Sequence, residues 1–233
     1  MKAFLLTVFL LVSSAIAQRL EEAQKRYANG DFLEASLLAR QLRTSDGFAL
    51  AARALYEHAM ELPLSKREPL MVQCEAFARE SLELNPKNAD AYFELGASAG
   101  QFALLRGTVW AFLNGVPQQI RGYFERSIEL EPRHVFAMIA LARWHAEVVM
   151  GGGGFLFNAS PEEALKLLNR AVRTEPKNIN VRVNFAQTLL VLDRVANRTA
   201  AKAQLELAIT LEPRDALERK ALEAAKRGLE QLK

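Results

Sequence analysis

Trp110, Phe112, Phe155 and Phe157 are the side chains best suited to hold another molecule, because each offers a large apolar face within a glycine-containing stretch. The first stretch, residues 103–117, reads ALLRGTVWAFLNGVP, and the second, residues 148–159, reads VVMGGGGFLFNA. Arg143 and His145 flank Trp144 just ahead of the second stretch and complete the candidate set of contact residues. The ordinary reading is that each stretch folds back and buries its aromatics as local core; the other is a pocket or a partner contact. For His145 the ordinary reading is a packed histidine.

Catalytic chemistry has little to stand on. His58, His134 and His145 are isolated from one another, and no HExxH, CxxC or GxSxG string surrounds them. Glu80, Glu83, Glu129 and Glu131 read as solvated helix faces. The run Gly151 to Gly154 has no following Gly-Lys-Ser/Thr and no GxGxxG spacing, so it reads as a turn and not as a phosphate cradle. The single cysteine, Cys74, cannot close a disulfide within the chain and reads as a small packing residue. Asn158-Ala159-Ser160 and Asn197-Arg198-Thr199 match the glycosylation pattern, but Ser160 reads as a helix cap, and no glycan is expected. No catalytic residue, metal ligand or cofactor is therefore expected, and the chain reads as a non-enzyme.

These residues must be positioned by a repeated element. SLELNPKNADAYFELG from Ser81 returns as SIELEPRHVFAMIALA from Ser127, AVRTEPKNINVRVNFA from Ala171 and AITLEPRDALERKALE from Ala208. Each copy ends one amphipathic helix at an acidic or amide residue, breaks it with proline, and opens a second helix. The prolines at 86, 132, 176 and 213 are 46, 44 and 37 residues apart. Further breaks are expected at Gly30 and across Thr44 to Gly47, with a helix from about Phe48 to Leu62. Ser160-Pro161-Glu162-Glu163 reads as a capping box. From Arg214 to Leu232 a last amphipathic helix should turn Leu217, Ala221 and Leu229 inward and Glu218, Lys220 and Lys226 outward.

At these residues the chain resembles the tetratricopeptide repeat (TPR) family of stacked antiparallel helix pairs. Tyr92, Leu95 and Gly96 fit the family's large-Leu-small pattern in the first helix, as do Met138, Leu141 and Ala142. Phe185 and Ala186 fit its last two positions. In the second helix Ala164, Leu168 and Ala171 match, as do Ala201, Leu205 and Ala208. Cys74, Ile120, Ala78, Arg182 and Arg219 depart from the pattern. The resemblance implies an all-α, right-handed helical-repeat superhelix, with units at about 19–43, 47–84, 88–130, 134–174 and 178–211 and a capping helix at 214–232. An ordinary repeat is about 34 residues long, so the excess must lie inside the units, between Gly96 and Ile120, Ala142 and Ala164, and Ala186 and Ala201. That places the aromatic stretches at the turns between paired helices. More weakly, IELEPRHVFAMIALARWHAEV with PEEALKLLNRAV is similar to the TPR domain of the regulator-of-microtubule-dynamics family and to bacterial periplasmic T components associated with TRAP transporters. The latter implies an apolar ligand channel.

Half of the 233 residues are apolar and 24% are charged, enough for a packed core. The formal charge of +3 is too small to imply a nucleic-acid partner. Residues 1–17, MKAFLLTVFLLVSSAIA, read as a secretory signal with cleavage before Gln18, and nothing after them is apolar for long enough to span a membrane. The expectation is a periplasmic or secreted bacterial scaffold, residues 18–233, that binds a protein or peptide on its concave face. The alternative is a binding protein for an apolar small molecule or lipid that uses the aromatic insertions.

Overall fold

The computed structural model describes the backbone of residues 2–232 and the side chains of residues 14–232. The chain is all-α, and no strand occurs among the described residues. It forms two compact units, residues 1–98 and 99–233. Unit one holds α1 (Lys2–Asn29), α2 (Phe32–Gln41), α3 (Ser45–Glu61), a 3₁₀ turn (Leu64–Lys66), α4 (Arg67–Leu84) and the first half of α5 (Ala89–Arg106). Unit two holds the rest of α5, then α6 (Thr108–Leu113), α7 (Val116–Leu130), α8 (Val135–Met150), α9 (Gly154–Phe157), α10 (Pro161–Thr174), α11 (Ile179–Leu192), α12 (Arg198–Ile209) and α13 (Ala216–Gln231). The expected signal segment and first mature helix form the single helix α1; the side chains of residues 2–13 lie outside the described residues.

The proline turns share one construction. The residue before each of the first three prolines, Asn85, Glu131 or Glu175, has left the helical region, and its N–H still bonds back to the preceding helix. Two residues after every proline stands a side chain that caps the next helix. Asn88 Oδ1 accepts from the Ala91 N–H, His134 Nδ1 from Ala137, Asn178 Oδ1 from Val181, and Asp215 Oδ1 from Glu218, at 2.8–3.2 Å. One orphan donor of each helix start is thereby satisfied. His134 is thus a capping residue, and Nδ1 can accept only when it carries no proton.

In unit two, α8 packs on α7, α10 and α11, and α11 packs on α12 and α13. Ala164, Leu168, Ala171, Ala201, Leu205 and Ala208 sit in one buried cluster with Met138, Ala142, Phe185 and Ala186. The alanines let helix backbones approach, and the leucines and Phe185 fill the space between them. In unit one, α3 packs on α2 and α4, and Ser36 Oγ donates to the Ala51 carbonyl across the α2–α3 contact at 2.9 Å.

Two local expectations are corrected. α3 begins at Ser45 and not near Phe48, because Thr44 Oγ1 accepts from the Gly47 N–H at 3.1 Å and caps the helix. Gly47 is inside the first turn, where its lack of a side chain admits α2: a Cβ there would stand 2.7 Å from the Ala39 carbonyl oxygen. On α13, Glu218 is buried instead of facing solvent. It folds back to accept from the Arg214 N–H at 2.8 Å and from Arg214 Nε at 2.9 Å. Burial alone would raise its carboxyl, but the Arg214 side chain and N–H, with the Ile179 N–H, hold it below its ordinary value.

Gly47→Ala should therefore cost about 1–3 kcal/mol in chemical denaturation, since backbone must move to admit the methyl. Gly228→Ala, which would meet only the end of the flexible Leu205 side chain, should be neutral or stabilise by up to about 1 kcal/mol through helix propensity.

Candidate functional site

The six candidate residues all lie in unit two, but they do not converge on one cavity. α6 and α9 are short because glycines interrupt the chain around them: Gly107 has φ 89°, Gly152 has φ 79°, and a Cβ on Gly153 would strike the Phe157 ring at 2.9 Å. Phe112 on α6 meets Phe157 on α9 edge to face, with ring centres 6.1 Å apart. Trp110 turns back along its own segment, where the Arg106 guanidinium lies 4.7 Å from its ring centre and 5.0 Å from that of Phe102. Phe155 is fully exposed. With Val109 at 74% and Leu113 at 76% exposure, the insertions present an apolar edge to solvent in place of the local core of the ordinary reading.

Behind that edge, α7, α8 and the α9 turn enclose a cleft of about 370 Å³. Gln118, Arg121 and Glu125 of α7 form one wall, Trp144 of α8 the second, and Leu156 and Phe157 the third. Arg121 is held at three points: Nε bonds Glu125 at 2.7 Å, Nη1 donates to the Phe157 carbonyl at 3.1 Å, and the guanidinium lies over Trp144, 5.8 Å from the ring centre. The Trp144 Nε1–H is buried and has no acceptor among the described residues.

His145 is a packing residue. It is buried, sits edge-on to Trp144 at 5.0 Å, and its Nδ1 accepts the Ser160 N–H at 3.2 Å. Burial, reinforced by the Arg121 charge, holds its imidazole below the ordinary value, so it is neutral near pH 7. Ser160 Oγ accepts from the Glu163 N–H at 3.1 Å, so the expected cap forms, with His145 as the acceptor for the Ser160 N–H. Arg143 is partly exposed and pairs along α8 with Glu147, away from the cleft lining.

Unit one contains a charged cluster that the sequence reading missed. Arg53 of α3 bonds Glu94 of α5 through Nε at 3.0 Å and pairs with Asp90 one turn earlier through Nη2. Glu94 is 1% exposed. Burial pushes its carboxyl up to about 8, against the opposing pull of Arg53, with Asp90 and Glu57 adding to the rise. Arg53 is itself held above its ordinary value: burial lowers it, and Asp90 and Glu94 outweigh that effect. Burial, with a contribution from Glu94, pushes the Cys74 thiol up, so it is an inert packing group. The visible signal was the pair of carboxylates four residues apart, Asp90 and Glu94, at a helix start.

No protein-family model matches the chain, and no curated protein matches it. Among solved structures it is similar to TTC0263, a thermophilic TPR protein of Thermus thermophilus. The two share 16% identity, the match covers 90% of this chain and 98% of that one, and the TM-score is 0.65. The chain has the tetratricopeptide-repeat fold. YrrB, described as a TPR protein with an unusual peptide-binding site, matches at 17% identity, covering 92% of this chain and 97% of that one, with a TM-score of 0.43. Yeast Tom70 matches at 18% identity over 95% of this chain and 51% of its own, with a TM-score of 0.33.

Within the TPR fold, Arg53, Asp90 and Glu94 stand on the first helices of consecutive pairs, α3 and α5. The segments α6 and α9 are insertions at the turns between first and second helices, α5 to α7 and α8 to α10. Among the described residues, no group of three or more His, Cys, Asp or Glu is placed to hold a metal ion.

Because the Glu94 carboxyl is raised from 4.5 to about 8 on folding, folded chains hold a proton that unfolded chains release. The stability this provides is complete below the unfolded value and is lost as pH rises through about 8. Glu94→Gln, which keeps the acceptor for Arg53, should flatten the fall in denaturation midpoint between about pH 5 and 8.5. An equally steep fall in both proteins would refute the assignment.

Proposed function

We propose that the chain is a non-enzymatic interaction scaffold that grips a protein or peptide partner, and that it is exported after loss of residues 1–17. The observation that carries the binding reading is the apolar edge of unit two, where Val109, Leu113 and Phe155 face solvent on the two insertions α6 and α9. Exposed apolar patches cost solubility and mark contact surfaces. Within unit two, the first helices α8 and α11 supply the rest of the partner surface, in keeping with the mode expected for stacked pairs. A hydrophobic small molecule is the second reading, favoured by the cleft volume of about 370 Å³. The charged wall of Arg121 and Glu125 weighs toward a peptide, which brings polar main chain with its apolar side chains.

The fold would tolerate the cut that export requires. Ala15, Ala17, Gln18 and Arg19 are exposed, whereas Ala23, one turn further on, is fully buried. A cut before Gln18 thus reaches solvent-facing chain and spares the first core residue. N-terminal sequencing of material recovered from the periplasm or medium should begin at or near Gln18; a start beyond Ala23 would contradict the cleavage reading.

The binding reading is tested on an array of 12-residue peptides of graded apolarity. The full chain should retain apolar members and lose at least about tenfold in affinity as the triple variant Val109→Ser, Leu113→Ser, Phe155→Ser. Its melting temperature should change little, since exposed side chains contribute little to stability. No retained peptide, or full retention by the variant, would sink the proposal.

A further inference from the structure

We infer that His145 is an acid-sensitive latch on the α9 turn: a proton on Nδ1 displaces the Ser160 N–H, frees residues 152–160 and so dismantles the apolar edge they help to form. The consequence for a partner rests on the scaffold reading, whereas the latch itself rests on hydrogen-bond geometry.

Among the described residues, two hydrogen bonds tie residues 152–160 to side chains of the helices beside them. The Ser160 N–H donates to His145 Nδ1 of α8 at 3.2 Å, and the Phe157 carbonyl accepts from Arg121 Nη1 of α7 at 3.1 Å. The backbone ahead of them resists little, because α9 is four residues long and follows a run of glycines that change their angles at low cost. One proton acts on both ties. Nδ1 accepts through its lone pair, so it cannot hold a proton and the Ser160 N–H at once. The new charge would also be felt by Arg121, which makes the second tie. Repulsion between the two cations favours moving one of them away, and either movement loosens α9.

The surroundings keep the latch closed at neutral pH. His145 is 4% exposed and stands edge-on to Trp144. Burial and then the Arg121 charge hold its imidazole below the ordinary value, against the opposing pull of Glu163 of α10 and Glu125 of α7. Residues 151–160 carry no ionisable side chain. On α11 the charged residue is Arg182, bonded to the Pro176 carbonyl and Gln204, and on α8 Arg143 pairs with Glu147. With the folded value below 6.5, an opened turn takes up the proton more readily than the closed one. The closed turn is therefore fully favoured above about pH 6.5 and loses ground as pH falls below it. Phe157 meets Phe112 of α6, and Phe155 stands in solvent on the same turn, so opening parts the α9 half of the apolar edge from the α6 half.

Hydrogen exchange on the full chain, corrected for intrinsic rates, reads the turn directly. Between pH 7.5 and about pH 5.5, protection of amides 152–160 should fall severalfold, by at most about tenfold per pH unit below 6.5, while α11 and α12 keep theirs. The midpoint should match that of the His145 ring signal in NMR. His145→Asn is the comparison, since its Oδ1 lies as many bonds from the backbone as Nδ1 and accepts without titrating. Loss of the ring lowers stability at every pH, so the slope, which should vanish, is the readout. Flat protection in the wild type, an equal slope in the variant, or a fall shared by α11 and α12 would overturn the inference. Apolar peptides of the array held at the higher pH should be released severalfold at the lower one by the wild type and kept by the variant; unchanged retention by the wild type would overturn it as well. If exchange responds while no peptide binds at either pH, the latch stands and the scaffold reading falls. If peptides respond to the apolar-edge variant while exchange stays flat, the latch fails and the scaffold reading stands.

Discussion

Two helices approach only as closely as the smallest residues on their facing sides allow, and this chain's architecture depends on that constraint. Ala164 and Ala171 flank Leu168 on α10, and Ala201 and Ala208 flank Leu205 on α12; all six are buried. Each alanine admits a neighbouring backbone, and each leucine fills the space so created. The same logic at its limit explains Gly47, where even a methyl group would stand 2.7 Å from a carbonyl oxygen of α2. Stacking then requires that the chain reverse at fixed places. Proline ends the helix, and the residue two positions later caps the next one, whether it is Asn88, His134, Asn178 or Asp215.

That construction is economical in side chains and so leaves the insertions free for other work. The largest buried cluster of unit two draws on α8, α10, α11, α12 and α13, and among the described residues of α6 and α9 Ala111 is the buried one. Glycine sets what these segments can be. Gly107 and Gly152 take positive φ, and Gly153 makes room for Phe157, so the chain can fold back for only a turn at a time. An element that short cannot bury all of its own apolar residues. Phe157 and Phe112 find each other, Trp110 finds Arg106, and Phe155, Leu113 and Val109 are left in water.

Polar groups inside the units serve position more than net stability. Ser36, Ser45, Ser81 and Asn88 tie helices together through bonds of 2.8–2.9 Å. Arg53 joins the first helices of consecutive pairs at the cost of burying Glu94. Breaking such a pair is expensive, because the partner left behind is a buried charge or an unsatisfied donor. Paired this way, Arg53 selects one register of α3 against α5 over its neighbours.

Much of the fold was legible in the sequence because its causes are local. A proline stops a helix wherever it stands, and an alanine spaced from a leucine by a helical turn marks a contact face, so the all-α repeat, its breaks at residues 86, 132, 176 and 213, and the site of the insertions could be read directly. The capping residues two positions after each proline were also there to be read, as Asn, His, Asn and Asp, but their variety hid a common role that hydrogen-bond geometry exposes. Tertiary structure alone decided what depends on meetings between distant residues. Arg53 and Glu94 lie 41 positions apart, and Arg121 reaches the Phe157 carbonyl across 36. Glu218 looked solvated by helical period and is buried because Arg214 draws it back. Exposure of the insertion aromatics is of the same kind: composition marks a phenylalanine as apolar, but only the surrounding packing determines whether there is room left to bury it.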